Sequence, residues 1–360
     1  MSLYKKIFFA ALFLPFVALS SNGIKKHEKT KTISKKFTVN SNASVFIKNK
    51  YGNLNVTTWN KNTVEIDVRI TVKGNDLDKV QDKLEDIRID FEASEGLVEA
   101  RTIIEKTKSS WSFWGKSNNI NYKINYFVKM PITNNADLNN KYGNIELDII
   151  EGKANINCDY GAIQVEKLLN SSNSISLDYC RSSNIQYMKS GTLNVDYSKI
   201  TVDEVEKIKV NADYSGVKVG TVNDISFNSD YGSITIEDGE YVDGNSDYAG
   251  MRIGTLRKSL RVNTDYGGLK VKNLAKGFEN VTIDGSYAGI KIGTARDNNF
   301  DFTVNLSYSG FKYPKEYVET YKAVRKTTKK YYEGSFGKAN SGSKINIKSD
   351  YGGVSLQLND

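Results

Sequence analysis

The sequence predicts an all-β protein: a parallel β-helix or solenoid with coils of about 17–21 residues, capped by an N-terminal insertion of strands and a helix. Three observations carry this reading. A phrase built on Asp-Tyr-Gly or a close variant recurs at Tyr51, Tyr142, Tyr160, Tyr179, Tyr197, Tyr214, Tyr231, Tyr248, Tyr266, Tyr287, Tyr308 and Tyr351. From Tyr142 to Tyr308 the steps are 18, 19, 18, 17, 17, 17, 18, 21 and 21 residues, the period of a unit that stacks on its neighbours. Apolar residues also hold fixed places about each tyrosine. Ile156, Leu193, Val210, Val262 and Ile283 stand four before it; Ile163, Ile200, Val217, Leu269 and Ile290 stand three after; Val165, Val202, Val219, Val271 and Ile292 stand five after.

Spacing by two within each half is strand periodicity, and the change of parity across the tyrosine leaves one extra residue there, as a corner does. The residue after the tyrosine is always Gly, Ser, Ala or Cys. A small side chain fits where the backbone bends and the next coil lies about 4.8 Å away. Two coils depart from the rule. Gly244 replaces an apolar residue, and Ser182 with Asn184 fall on inward positions after Tyr179, which predicts a local bulge.

The elements follow in order. Residues 1–20 read as a signal peptide: Lys5 and Lys6 precede an apolar run, Ile7 to Leu19, too short to span a bilayer, and Ala18-Leu19-Ser20 suits cleavage. Residues 21–36, with six lysines and one glutamate, read as a basic flexible arm. Residues 37–59 form the first coil. Residues 60–130 leave the pattern as a β-rich capping insertion. Val64, Ile66, Val68, Ile70 and Val72 alternate as a strand, and Gly74-Asn75-Asp76 opens a helix with Leu77, Val80, Leu84 and Ile87 on one face. Such a unit covers strand edges that would otherwise recruit other chains. Within it, Trp111, Phe113 and Trp114 sit on a loop, either folded back on the body or reaching for a partner. Residues 131–311 form the main stack, residues 312–343 a basic Tyr- and Lys-rich insertion read as a mobile loop or side flap, and residues 344–360 a final coil closing the stack.

Polar columns accompany the apolar ones. Asn139, Asn157, Asn194, Asn211, Asn228, Asn245, Asn263 and Asn305 stand three before their tyrosines and are placed to bond along the stack. The corner ladder pairs Asp159 with Tyr160, Asp196 with Tyr197, Asp213 with Tyr214, Asp230 with Tyr231, Asp247 with Tyr248 and Asp265 with Tyr266. Carboxylates at coil spacing repel. Bonds to corner N–H groups, or the cations Lys218, Arg252, Lys270 and Lys291, are expected to offset this. A bound cation is the sharper alternative, but the G-G-x-G-x-D pattern of calcium-binding rolls is absent. The tyrosines read first as a stacked structural corner, because every coil carries one, and second as an aromatic stripe for sugar rings.

Composition bounds the function. The chain has 360 residues, a net charge of +8, 28 Gly, 22 Tyr and only 3 Pro. The positive charge is concentrated in the signal, the arm and the segment 312–344, on an acidic body, which is not a nucleic-acid footprint. The basic segments suit solvent or peripheral contact with an anionic surface. An exported protein could pair Cys158 with Cys180, but they occupy different places on neighbouring coils and read as free or buried thiols in preference to a disulfide. With one histidine, His27, they make no usual zinc site. No catalytic residues, metal ligands or cofactor motif stand out.

Asn49–Trp59 (Asn-Lys-Tyr-Gly-Asn-Leu-Asn-Val-Thr-Thr-Trp), the repeated Asp-Tyr-Gly coils, Val128-Lys129-Met130-Pro131 and the closing Ser349-Asp350-Tyr351-Gly352-Gly353-Val354-Ser355-Leu356 resemble the exported bacterial "putative adhesin" β-solenoid family. That family is a Bacteroidetes-type domain of unknown function. The resemblance implies a right-handed coil and offers no catalytic residues. The resulting expectation is a non-enzymatic protein of the periplasm, outer membrane or cell surface that binds a glycan, protein or matrix component, without nucleic acid. The rivals are a polysaccharide-active β-helix lyase or hydrolase, and an envelope scaffold or sensor accessory acting through the aromatic loop. Sequence leaves the oligomeric state open.

Overall fold

The computed structural model describes residues 26–105 and 120–359. The signal segment 1–20 and the loop bearing Trp111, Phe113 and Trp114 lie outside the described residues. The described chain is nearly all β, and its strands belong to one hydrogen-bonded network. Among the described residues the one helix is Leu77–Glu85.

The repeats pair in parallel, and each position of the phrase meets its own counterpart. Ala154–Asp159 lies between Asn135–Lys141 and Asn173–Asp178, and after the corner Ile163–Leu168 lies between Ile145–Ile150 and the start of Ser183–Asp196. From there the strands run through the return: Lys199–Asp213, Gly216–Asp230, Ser233–Asp247 and Gly250–Asp265 each pair with the next, so that Asp196, Asp213, Asp230, Asp247 and Asp265 are in register. The alternating apolar residues all face inward: Ile156, Ile175, Leu193, Val210, Ile163, Val202 and Val219 have no exposed surface. Burial of such side chains is worth roughly 1.5–3 kcal/mol each and fixes the register, since a one-residue slip would turn each strand inside out.

The Tyr179 repeat departs locally. Ser182 takes a positive φ of 60°, and Ser183 and Ile185 take the inward places opposite Ile200 and Val202. The two longest steps hold extra turns, whose Phe278 and Phe300 enter the core with ring centroids 5.6 Å apart, and Phe336 stacks on Phe300 at 5.0 Å. At the Tyr248 repeat Gly244 faces the Phe227 ring of the coil beneath, where a Cβ would come within 2.6 Å of it. The large ring takes the volume that the missing side chain leaves.

Three expectations are corrected. Most of the basic arm is a strand: His27–Thr38 pairs antiparallel with Thr63–Gly74. Its lysines point mostly to solvent, while Ile33 and Phe37 pack against the core, so the apolar minority anchors a segment whose charge suggested disorder. The segment 312–343 is no mobile loop over its strands: Val318–Arg325 and Lys329–Phe336 form an antiparallel pair, and the second lies along Phe300–Ser307. Tyr332 and Phe336 are buried there. The final coil does not close the stack. Lys344–Asp350 inserts between Asn280–Ser286 and Phe300–Ser307, and Val354–Leu358 between Gly289–Thr294 and Phe311–Lys312. Insertion pairs the last strands on both edges, where a terminal place would leave one edge bare.

The insertion after the first coil borders that coil. Leu97–Ile104 pairs in parallel with Ser44–Lys50, and Asn121–Pro131 with Leu54–Trp59. Asp76 caps the helix by accepting from the N–H groups of Asp78 and Lys79, and Val80 and Leu84 are buried on its inner face.

Candidate functional site

All twelve phrase tyrosines have positive φ, between 48° and 63°. This left-handed region is costly for a bulky side chain. The corner demands it: each tyrosine N–H donates to a carbonyl of an adjoining segment, in eight of the twelve that of an aspartate, as from Tyr197 to Asp213 (3.1 Å) and from Tyr214 to Asp230 (2.9 Å). The next residue turns inward. At Gly232 a Cβ would run into the Ser215 carbonyl oxygen. At Ser198 and Ser215 the hydroxyl is used: the Cys180 N–H donates to Ser198 Oγ (2.7 Å), and Ser198 Oγ donates to the Asp196 carbonyl (2.7 Å), with Ser215 bonded alike. Cys180 occupies the serine place in its own coil, its thiol reaching the Cys158 carbonyl at 3.1 Å. Both cysteines are free and buried. The adjoining Cys180 sulfur, then burial, push the Cys158 thiol up.

The rings form one continuous stack. Centroids from Tyr160 to Tyr287 are 4.8–5.0 Å apart and planes within 7°, and the Tyr351 ring enters between Tyr287 (4.7 Å) and Tyr308 (4.8 Å). Tyr122 covers the first ring, Tyr51, edge-on at 5.1 Å. Because each face is covered by the next ring, the stack offers solvent its edges and hydroxyls, not its faces. This decides against sugar rings stacking flat along the stripe. Tyr214 and Tyr266 nonetheless remain 53 % exposed. From Tyr142 to Tyr351 no ladder hydroxyl has a protein partner among the described residues.

The amide column forms as its spacing predicts: Asn157 Nδ2 donates to Asn139 Oδ1 (2.9 Å), Asn211 to Asn194 (2.8 Å), Asn245 to Asn228 (3.0 Å) and Asn263 to Asn245 (2.9 Å). The aspartate column is less well compensated. Partial burial, then the like charges of Asp178 and Asp213, hold the Asp196 carboxyl above the ordinary carboxylate value; Asp247 is raised by burial, then by Asp265 and Asp230. Lys141 meets Asp159 at 3.5 Å at one end of the column.

The cations expected to neutralise this column do not. Lys218 pairs with Glu237 at 3.0 Å, and Arg252, Lys270 and Lys291 lie in register with one another on the flank beyond the corner. They stand four positions past their tyrosines, and the residues two past each tyrosine, Gly250, Gly268 and Gly289, lie between. Together they border a hollow of about 610 Å³. Sequence spacing placed these cations in one row, but only the corner shows on which flank.

No protein-family profile and no curated protein matches the chain. Among solved structures it aligns with a "putative adhesin" from Parabacteroides merdae at 14 % identity, covering 73 % of this chain and 92 % of that one, TM-score 0.24. A "putative adhesin" from Bacteroides fragilis aligns at 12 % identity over 91 % of this chain and 97 % of that one, TM-score 0.21. A "putative lipid binding protein" from Parabacteroides distasonis aligns at 10 % identity over 91 % and 97 %, TM-score 0.24. At these scores the alignments carry no functional conclusion, and chemistry must be read from the residues.

Proposed function

We propose that this chain is a non-enzymatic exported protein of the periplasm, outer membrane or cell surface, a β-solenoid whose corner face binds a glycan, protein or matrix component. The parallel register of successive repeats supports the solenoid reading, and the apolar run Ile7 to Leu19 after Lys5 and Lys6 supports export. The observation that carries the binding role is the uninterrupted row of half-exposed tyrosines with uncommitted hydroxyls, held at positive φ. Glycine or asparagine would meet that backbone at lower cost, by about 1 kcal/mol per residue. A row of hydroxyls at about 4.8 Å intervals suits a long, repetitive ligand lying along the stack. Hydrolysis or lysis would need two singled-out carboxylates or a cation with a basic partner. The aspartates repeat alike in coil after coil, which disfavours an enzyme.

The test is a glycan and matrix-protein array probed with the mature chain and with Tyr214→Asn/Tyr231→Asn/Tyr248→Asn. Asparagine tolerates the left-handed backbone, so the corner survives. Retention of specific ligands by the native chain, weakened about tenfold or more in the variant, is the expected result. Binding that vanishes at moderate salt without ligand preference would defeat the proposal, and turnover of a polysaccharide abolished by one Asp→Asn change would put the enzyme reading in its place.

A further inference from the structure

Resting on the binding role just proposed, we infer that the ligand class is an extended acidic polysaccharide, and that its charges are met by Arg252, Lys270 and Lys291. These three side chains stand directly opposite one another on adjacent parallel strands. Like charges so placed destabilise a sheet unless something neutralises them. None has a carboxylate partner among the described residues, in contrast to Lys218, which Glu237 occupies, and Lys207, which Asp224 occupies at 2.7 Å. No carboxylate lines the hollow of about 610 Å³ that all three border, and the one carboxylate of the neighbouring hollow that Lys270 and Lys291 also border is Glu237, already paired with Lys218. At Gly250 and Gly289 nothing lies within 4 Å of where a Cβ would stand, so a ligand can reach the main chain there. The concavity continues past Ser233 and Thr235 into a second hollow of about 270 Å³ that reaches Lys199 and Lys218. The result is an open trough running across at least five repeats, with cations on its rim.

The shape of this charge selects among anions. One cation per coil, about 4.8 Å apart in a straight line, matches a polymer carrying one charge per sugar residue, since an extended pyranose residue is close to one coil in length. A compact anion would use one or two of the three. A nucleic-acid duplex is too broad for one flank: its second row of phosphates would come over the aspartate column beyond the tyrosines. The tyrosine row, two positions from the glycine row in each repeat, runs alongside this trough.

Calorimetric titration of the mature chain decides this, with polygalacturonate oligomers from dimer to octamer and the same oligomers with their carboxyls reduced to alcohols. The variant is Arg252→Gln/Lys270→Gln/Lys291→Gln, whose side chains lie outside the core; its melting temperature checks the fold. The expected result is affinity that rises with length up to the span of the trough, at least about tenfold loss in the variant or on carboxyl reduction, and a shallower salt dependence in the variant. Equal binding of the neutral oligomers, or unchanged binding by the variant, overturns the acidic assignment while leaving the tyrosine-face role standing. Equal competition by inorganic phosphate or by vesicles containing phosphatidylglycerol also overturns it. Failure of both this titration and the array would remove the binding role as well.

Discussion

At the residue scale, the tyrosine decides most. A left-handed corner is the natural place for glycine or asparagine, and twelve tyrosines take it instead. Stacking offsets that cost, since an aromatic pair contributes about 0.5–1.5 kcal/mol beyond the area it buries. Replacing one mid-stack ring, Tyr231→Asn, relieves strain and removes two ring contacts, so its melting temperature should move by only a few degrees while binding falls. The aspartates behave differently. The folded-state pKa values of Asp196 and Asp247 lie above the ordinary carboxylate value, so ionisation is penalised in the fold more than in the open chain. Their contribution is therefore most favourable at acid pH and is lost as pH rises through the raised values. Asp196→Asn/Asp247→Asn should melt higher than the native chain at pH 7, and the gap should close as the pH falls below about 4, a course that thermal melts across pH will follow or contradict. The two buried cysteines make a third residue-level prediction: neither should react with a thiol reagent until denaturant is added, and reaction in the native state would show that the corner opens.

At the element scale, each coil is held by its inward ladders and by its two neighbours. Phe300 shows the consequence, because it has no exposed surface and touches both Phe278 and Phe336. Phe300→Ala should cost about 3–5 kcal/mol, read from denaturant melts, and should loosen first the hairpin Val318–Arg325 and Lys329–Phe336 that packs there. The alternation of Val64 to Val72 was legible because its period is strong and unbroken; of the four residues expected on the helix face, Val80 and Leu84 are buried there, while Leu77 is exposed and Ile87 begins the next strand. The strand His27–Thr38 was not, since Glu28, Lys29, Lys31, Lys35 and Lys36 carry charge and only Ile33 and Phe37 mark an inner face. Its pairing with Thr63–Gly74 is a long-range fact that local composition cannot express.

At the scale of the whole molecule, the order of layers differs from the order of the chain. The last coil lies inside the stack, with Tyr351 between Tyr287 and Tyr308. Removing residues 344–360 should therefore bare two facing strand edges at once, and the truncated chain should self-associate, visible as a shift to larger species in size-exclusion chromatography with light scattering. A chain that remained monodisperse after this truncation would mean that the gap closes by direct pairing of its walls. The sequence by itself determined which side chains are inward, where the corners fall, and that amides, carboxylates and rings form parallel columns, because a fixed period in a pleated strand assigns each residue a face and a neighbour. Only the tertiary structure decided that the cations lie across the glycine row from the aspartates and leave them uncompensated, and that the final coil is interior. Those outcomes depend on the direction the backbone takes at the corner and on which strand edge is free when a distant segment returns, and neither quantity is written in the spacing of residues along the chain.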